Sequence, residues 1–146
     1  MDRRFKLEVQ GYNLPDDLYY DQDHYWSKLE GGVLTMGMDD FAQKLAGELV
    51  FVQLPFEGKK VQIGKKFAKV ESGKWVGKIL APVDGEIVAV NSELEAKPSL
   101  INQDCYGAGW MYKIRPDDPS QIEKLIHGAE NIKKWLIADI EKFKKD

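Results

Sequence analysis

Short apolar runs separated by turn-forming residues dominate the chain from residue 18 to residue 114. The runs are rich in β-branched and aromatic residues, which favour strands. The predicted strands are Leu18–Tyr20, Tyr25–Leu29, Val33–Met38, Leu49–Leu54, Phe67–Glu71, Val76–Ala81, Glu86–Val90 and Trp110–Ile114. Many short strands at close spacing are typical of a β-barrel or a β-sandwich. The sequence therefore predicts a mainly β fold.

One short helix is predicted between the third and fourth of these strands. Asp39 is a suitable N-cap, because its side chain can accept a hydrogen bond from the first helical turn. Phe41, Ala42 and Leu45 share one face of the helix, and Gly47 suits the left-handed conformation that ends one. The helix would be barely two turns long.

The C-terminal segment, residues 120–144, has a helical period. Ser120 and Glu123 match a capping box. Apolar residues then recur at spacings of three and four: Ile122, Leu125, Ile126, Ala129, Ile132, Leu136, Ile140 and Phe143. We expect Gly128 to divide the segment into two pieces. The pattern favours helices that pack on the domain, and a helix that binds a partner remains the alternative.

Length and composition indicate one domain over residues 1–146, with a β-rich core over 18–114. Residues 1–17 are polar and are expected to lie over the body of this domain. Of all residues 43% are apolar, and 21 basic against 24 acidic side chains give a net charge of −3, which argues against a nucleic-acid partner. No window approaches the ~20 apolar residues of a membrane span. A single cysteine, Cys105, fits a reducing cytoplasm, so a soluble cytoplasmic protein is expected.

The stretch V-E-S-G-K-W-V-G-K, residues 70–78, predicts a hairpin with Lys74 at its tip. A glycine followed by another residue is typical of a two-residue type II′ turn. In that register Lys69 faces Lys78, and the two charges repel each other unless Glu71 or a partner offsets them. A lysine on such a rigid tip suits an enzyme that must modify it. From spacing alone, however, an ordinary solvated lysine is the favoured interpretation.

Two other turns flank the hairpin. Gly58 and Gly64 stand at loop corners upstream of it, and Asp84-Gly85 predicts a tight turn downstream. The hairpin therefore lies between two strand and turn units.

Several motifs, in order along the chain, resemble the H protein of the glycine cleavage system. They are H-x-W at 24–26, E-S-x-K at 71–74, A-P-V-x-G-E at 81–86, the asparagine at 91 and N-x-D-x-Y-G-x-G-W at 102–110. The resemblance implies a hybrid barrel-sandwich fold, related to lipoyl and biotinyl domains, with a short internal helix and a C-terminal helical tail. It also implies that lipoate is joined to Lys74 through an amide bond.

The same resemblance bears on how lipoylating enzymes would choose this lysine. In that family, recognition is associated with an acidic residue three positions before the lysine and with glycines sixteen before and eleven after it. Glu71, Gly58 and Gly85 stand at those offsets from Lys74. Biotinyl carriers usually flank their lysine with methionines, which this chain lacks at both positions. The resemblance therefore implies lipoylation rather than biotinylation.

A carrier of this kind has no turnover of its own, because the cofactor supplies the chemistry. The resemblance implies that the arm takes an aminomethyl group from a pyridoxal-phosphate decarboxylase and presents it to a folate-dependent aminomethyltransferase. A flavin-containing dihydrolipoyl dehydrogenase would then reoxidise it. An enzyme would need a nucleophile with its base or a metal cluster, and two histidines with one cysteine at no recognised spacing give little support. An unmodified interaction domain is the remaining alternative.

Some residues depart from the glycine-cleavage pattern. The usual H-E-W and E-S-V-K-A are replaced by His24-Tyr25-Trp26 and by Gly73 and Trp75 on either side of the lysine. The stretch 71–77, with the L-Y-Y sequence at 18–20 and the extended tail, is more similar to lipoate-binding proteins of sulfur-oxidising, heterodisulfide-reductase-like systems. The alternative function is thus a carrier of sulfur intermediates or electrons that serves a heterodisulfide-reductase-like complex.

Three further residues have both a functional and an ordinary interpretation. The family match suggests that His24 lies near the arm and binds its cargo, but it could equally be a packing histidine. Trp75 suggests docking or shielding of the lipoyl ring, although an aromatic residue can simply cap a hairpin. Cys105 could exchange electrons with the dithiol, but a lone cysteine is usually an inert small apolar residue.

Overall fold

A computed structural model describes residues 7–144 of the chain. In chain order the strands are β1 (Glu8–Val9), β2 (Tyr12–Asn13), β3 (Tyr19–Tyr20), β4 (Tyr25–Glu30), β5 (Val33–Met38), β6 (Leu49–Val52), β7 (Lys60–Val61), β8 (Lys66–Ser72), β9 (Val76–Leu80), β10 (Gly85–Val90) and β11 (Tyr112–Pro116). The α-helices are α1 (Asp40–Ala46), α2 (Glu93–Ala96), α3 (Leu100–Gln103) and α4 (Ala129–Lys144), and a 3₁₀ helix spans Pro119–Lys124. The prediction of a mainly β fold is confirmed.

The strands form two main antiparallel sheets. Six strands pair in the order β3–β4–β5–β11–β10–β7, and three pair in the order β6–β8–β9. Inward residues alternate along the strands, as the two-residue period of a half-buried strand requires. In β5, for example, Leu34, Met36 and Met38 are fully buried, and Tyr112 and Ile114 of β11 join the same core. This core fixes the three-stranded sheet that carries the hairpin.

A second apolar cluster attaches the N-terminal segment and α4 to the body. It contains Val9, Leu14, Leu18, Tyr20, Trp26, Phe41, Ile132, Leu136 and Ile140. The N-terminal segment therefore lies over the body as expected, and it also forms the small hairpin β1–β2. Its first six residues fall outside the described part of the chain.

The short helix α1 matches its prediction at the start and differs at the end. The Asp39 carboxylate accepts a hydrogen bond from the backbone N–H of Ala42 at 2.8 Å, which confirms the N-cap. Gly47 has a φ of 79°, but its ψ of −165° is extended rather than left-handed helical. Phe41 and Ala42 are buried, whereas Leu45, one turn after Phe41 on the same face, is 40% exposed.

The C-terminal segment is divided at Gly128 as expected, with a φ of 85° there. The capping box at Ser120 and Glu123 is wrong. Asp118 instead caps the 3₁₀ helix, where its side chain accepts a hydrogen bond from the backbone N–H of Ser120. Pro119 fits the first position of that helix because it has no N–H to satisfy. No helix within residues 7–144 is long and apolar enough to cross a membrane.

The Asp84-Gly85 turn is also wrong, because Gly85 is the first residue of β10 and lacks a positive φ. Asp84 accepts hydrogen bonds from the Ile63 backbone N–H at 2.8 Å and from the Gln121 side chain at 2.9 Å. A Cβ atom on Gly85 would lie 2.4 Å from the backbone oxygen of Arg115. Glycine is required here by close packing of the sheet and not by a turn.

We therefore predict that Gly85→Ala destabilises the fold. The added methyl group meets backbone rather than a movable side chain, so the free energy of unfolding should fall by about 1–3 kcal/mol. Urea denaturation measures the difference. Gly73→Ala is the matched control, since a Cβ there meets nothing within 4 Å and its φ is not positive. Equal losses in the two variants would contradict the steric explanation.

Candidate functional site

The hairpin between β8 and β9 presents Lys74 at its tip. Ser72 donates its backbone N–H to the carbonyl of Trp75 at 2.8 Å, which closes the two-residue loop. Val70 pairs with Gly77 across the hairpin, so the expected register is confirmed. The type II′ turn is wrong, because Gly73 does not have the positive φ that this turn requires. The hydroxyl of Ser72 instead accepts a hydrogen bond from the Lys74 N–H at 3.3 Å.

The side chain of Lys74 is exposed and rests on the end of α1. Its Cε lies 3.4 Å from the position that a Cβ on Gly47 would occupy. The amide of Asn102 donates to the Gly47 carbonyl at 2.9 Å and its oxygen accepts from the Leu49 N–H at 2.9 Å. Asn102, which begins the fifth sequence motif, thus fixes the surface beneath the lysine. Within residues 7–144 no carboxylate forms a salt bridge with Lys74.

The charges along the hairpin are arranged as the register predicts. Lys69 stands opposite Lys78, and its ammonium lies 3.1 Å from the carboxylate of Glu71. This ion pair offsets the repulsion between the two lysines. Because both of its members are partly exposed, it contributes little to stability, and the Glu71 carboxylate remains accessible from outside.

The two glycines named for recognition lie at the β7–β10 end of the six-stranded sheet, away from the hairpin that carries the lysine. Gly58 has a φ of 97° and donates its N–H to the Ile87 carbonyl of β10 at 2.7 Å. Gly85 belongs to β10 itself. The structure therefore explains each glycine by its place beside the paired strands β7 and β10. Neither glycine lies in the hairpin with Glu71. Their part in recognition by a lipoylating enzyme stays a prediction.

A cavity of about 740 Å³ lies between the hairpin, α1 and the end of α4. We call it the hairpin cavity. Most of its lining comes from three elements: Trp75, Val76, Gly77 and Lys78 of the hairpin, Phe41, Ala42 and Leu45 of α1, and Asp139, Lys142 and Phe143 of α4. The rest is Gln22, Asp23, His24, Tyr25 and Lys66. Both residues expected near the arm, His24 and Trp75, border this cavity.

His24 is buried between two carboxylates. Its Nδ1 lies 2.7 Å from Oδ2 of Asp39, and its Nε2 lies 2.7 Å from Oδ2 of Asp139. The ring stacks on Trp135 at 4.2 Å between centroids. A neutral imidazole has only one N–H and can donate to only one ionised carboxylate, so donation to both takes the doubly protonated, charged ring. Burial lowers the pKa of His24, but Asp39 and Asp139 together outweigh burial and raise the pKa above its usual value of 6.5.

Asp139 is a residue that the sequence did not reveal as part of this site. It stands 115 positions from His24 along the chain, and its own helix pattern predicts only which face it shares with Trp135. The only sequence signal for Asp139 was its position on α4, one turn after Trp135 and beside the buried face of the helix. The packing interpretation of His24 is supported by these contacts, and its contact with a cargo stays a prediction.

Cys105 lies in the main core and does not line the hairpin cavity. Burial raises the pKa of its thiol to about 12, so the reactive thiolate is absent at neutral pH. Its carbonyl accepts a hydrogen bond from the indole N–H of Trp26 at 2.9 Å, which gives the H-x-W motif a structural reason. These features favour the inert interpretation of Cys105. Residues 7–144 contain no group of three side chains that could hold a metal ion.

Comparison with known proteins gives one consistent family. The sequence model described as "Glycine cleavage H-protein" matches residues 18–138. A glycine cleavage system H protein of Halalkalibacterium halodurans is 42% identical over 118 residues, which cover 81% of this chain and 92% of that protein. A probable glycine cleavage system H protein of Aeropyrum pernix is 46% identical over 123 residues, covering 83% and 86%.

A solved structure shows the same likeness. The crystal structure of a glycine cleavage system H protein from Mycobacterium marinum has a TM-score of 0.73 and 36% identity, and the match covers 81% of this chain and 95% of that one. The expected resemblance and the barrel-sandwich fold are thereby confirmed. The family match ends at residue 138, so Asp139 and the last turn of α4 lie beyond it.

The charged His24 predicts a pH-dependent contribution from Asp139. A raised folded pKa means that the stabilisation is fully present below the unfolded value of about 6.5 and is lost as pH rises through the folded value. Asp139→Asn should therefore lower the free energy of unfolding by about 1–3 kcal/mol at acidic pH. The difference in stability between wild type and variant should become smaller at alkaline pH. Urea titrations across this range measure it.

Glu141→Gln is the matched control, because it removes the same charge from an exposed position on the same helix. A loss from Asp139→Asn that stays constant with pH, or that Glu141→Gln reproduces, would contradict the charged pairing.

Proposed function

The chain belongs to the glycine cleavage H-protein family, a family of lipoyl carriers, and on this premise we propose that it carries an aminomethyl group on a lipoyl arm attached to Lys74. The observation that carries this proposal is the position of Lys74. It is the exposed tip of a rigid two-residue hairpin, within the E-S-x-K motif. A modifying enzyme can reach its ammonium without opening the fold.

The surroundings of Lys74 fit the attached group. Amide formation converts the ammonium into a neutral group, and this costs no ion pair within the described residues. The hairpin cavity begins at the next residue, Trp75, and its volume of about 740 Å³ leaves room for the end of a flexible arm. Lipoate, when bound, would supply a disulfide whose S–S bond opens as one sulfur takes up the cargo and the other becomes a thiol.

The protein itself presents the arm and docks to the partner enzymes. The hairpin fixes the starting point of the arm, and tethering raises the local concentration of its end at a docked partner to ~mM. The proposed partners are the glycine cleavage decarboxylase, the aminomethyltransferase, the dihydrolipoyl dehydrogenase and the lipoylating enzymes. The relatives described above are named as H proteins, and these names give no support to the heterodisulfide-reductase-like alternative.

Intact mass and isotope exchange test the attachment site and the cargo together. After expression with an active lipoylation pathway, the wild-type protein should gain one lipoyl group and support exchange of glycine with labelled bicarbonate by the decarboxylase. Lys74→Arg should lose both properties, because arginine keeps the charge but cannot form the amide. Lys78→Arg, four residues away on β9, should keep both.

The two measurements separate the outcomes. A lipoylated protein that does not support the exchange would contradict the aminomethyl cargo, but it would still agree with a lipoyl carrier. A Lys74→Arg variant that retains the lipoyl mass would contradict the site.

A second prediction concerns Glu71. If a lipoylating enzyme recognises its carboxylate, Glu71→Gln should reduce the rate of modification about tenfold, the size expected for loss of a charge-assisted hydrogen bond. The rate is followed by mass with purified lipoylating enzyme. Lys69→Met also breaks the ion pair between Lys69 and Glu71 but keeps the carboxylate, so it should be modified at nearly the wild-type rate. Equal losses in both variants would show that the ion pair, not recognition, matters.

A further inference from the structure

One exposed row of side chains crosses the three-stranded sheet beside the hairpin tip. Glu71 of β8 pairs with Phe51 of β6 on one side and with Val76 of β9 on the other. Directly paired residues of antiparallel strands lie on the same face of the sheet. We call these three residues the Glu71 row. Phe51 is 43% exposed and Val76 is 63% exposed, so an accessible carboxylate stands between two accessible apolar side chains.

A β-bulge at Val50 turns Phe51 outward. In a regular strand alternate residues share a face, so Phe51 would lie on the buried face with Leu49. The register instead shifts between Leu49 and Phe51, and Val50 is the extra residue. Leu49 and Val52 are therefore both buried, while Val50 and Phe51 are both exposed. Bulges of this kind re-aim side chains and are common next to functional sites.

The Glu71 row also attracts positive charge. The ammonium of Lys69 lies 3.1 Å from the Glu71 carboxylate and 5.9 Å from the centroid of the Phe51 ring. A carboxylate and the face of an aromatic ring both favour a cation. Because exposed ion pairs are weak, a cationic group of a partner can take the place of Lys69. The row therefore fits a partner surface that is apolar and carries one arginine or lysine.

The chemistry at Lys74 indicates which partner this is. An enzyme that attaches the arm must act on Nζ of Lys74 itself, so its active site has to close around the hairpin tip. The Glu71–Val76 pair lies directly next to Ser72 and Trp75, which close the loop. Enzymes that act on the far end of a long arm can stay at a distance from the sheet. The Glu71 row is thus within reach of the modifying enzyme above all.

We propose that Phe51 and Val76, on either side of Glu71, form the docking surface for the lipoylating enzyme. This inference rests on the proposed lipoylation of Lys74 and adds the apolar residues that would accompany recognition of Glu71. When the enzyme covers the row, the apolar side chains exclude water around the carboxylate. The charge-assisted hydrogen bond to Glu71 is stronger in such surroundings.

Modification kinetics with purified lipoylating enzyme test this surface. The unmodified chain is supplied with lipoate and ATP, which give a lipoyl adenylate. Nζ of Lys74 loses a proton, bonds the lipoyl carbonyl carbon and displaces AMP, and intact mass follows the product. Phe51→Ser should raise KM about tenfold with little change in kcat, because it removes binding and not transition-state stabilisation. Phe51→Leu stays apolar and should keep KM within about twofold of the wild-type value.

Phe56→Ser is the matched control. Phe56 is 72% exposed and lies in the loop between β6 and β7, outside the Glu71 row, so its loss should leave KM unchanged. Circular dichroism establishes that each variant is folded. An unchanged KM in Phe51→Ser, or an equal rise in Phe56→Ser, would overturn the docking surface. Failure of the enzyme to modify Lys74 of the wild-type chain would overturn the proposed function itself.

A double-mutant cycle tests the link between Phe51 and Glu71. If Phe51 excludes water from the contact between Glu71 and the enzyme, Glu71→Gln should reduce the modification rate less in the Phe51→Ser background than the ~tenfold expected in wild type. Strictly additive losses would contradict a shared surface.

Two other occupants of the Glu71 row would give different results. If a second copy of the chain docks there, Phe51→Ser should abolish a dimer in analytical ultracentrifugation and leave the KM of modification unchanged. If the decarboxylase docks there, the same variant should raise KM only in the exchange of glycine with bicarbonate. Either result would overturn the proposal.

Discussion

A charged histidine buried between two carboxylates joins the parts of the molecule that surround the hairpin cavity. Asp39 contributes from the start of α1, His24 from the loop before β4, and Asp139 from α4. Removing these charges from water is costly, and only close hydrogen bonds on both sides of the ring repay that cost. His24 also has a φ of 70°, which is unfavourable for a residue with a side chain. The surrounding packing must therefore hold this loop firmly.

Lys74, in contrast to His24, is exposed and has no charged partner in the described chain. The lysine has no salt bridge in the described chain, and the charges beside it belong to a partly exposed pair, Lys69 with Glu71. The backbone under it is fixed by the amide of Asn102 through Gly47 and Leu49. The site thus combines a fixed backbone with an exposed lysine side chain, and the buried His24 borders the cavity that begins at the next residue.

Local chemistry explains which features the sequence could predict. The register of the β8–β9 hairpin, the cap at Asp39 and the break at Gly128 depend on residues near one another in the chain, and all three agree with the structure. The role of Gly85 was misassigned because its constraint is the backbone of Arg115, which a single strand does not reveal.

Two other differences concern the C-terminal segment. The cap at Asp118 was missed because the segment begins as a 3₁₀ helix, and the sequence pattern of an α-helix does not apply there. Asp139 was missed because its partner is remote, and α-helical periodicity gives a face but not the residue that the face will meet. The sequence therefore predicted the hairpin that carries Lys74 better than the cavity beside it.

The place of β9 in the three-stranded sheet has a further consequence. Within residues 7–144 no strand pairs with its outer side, so the strand that presents the hairpin is also an open sheet edge. Open edges invite pairing between copies and hence aggregation. The exposed Lys78 on this short strand, with its neighbour Lys69, repels an identical edge from another molecule. The lysine pair, whose repulsion within the hairpin Glu71 offsets, thereby disfavours edge-to-edge pairing of two copies.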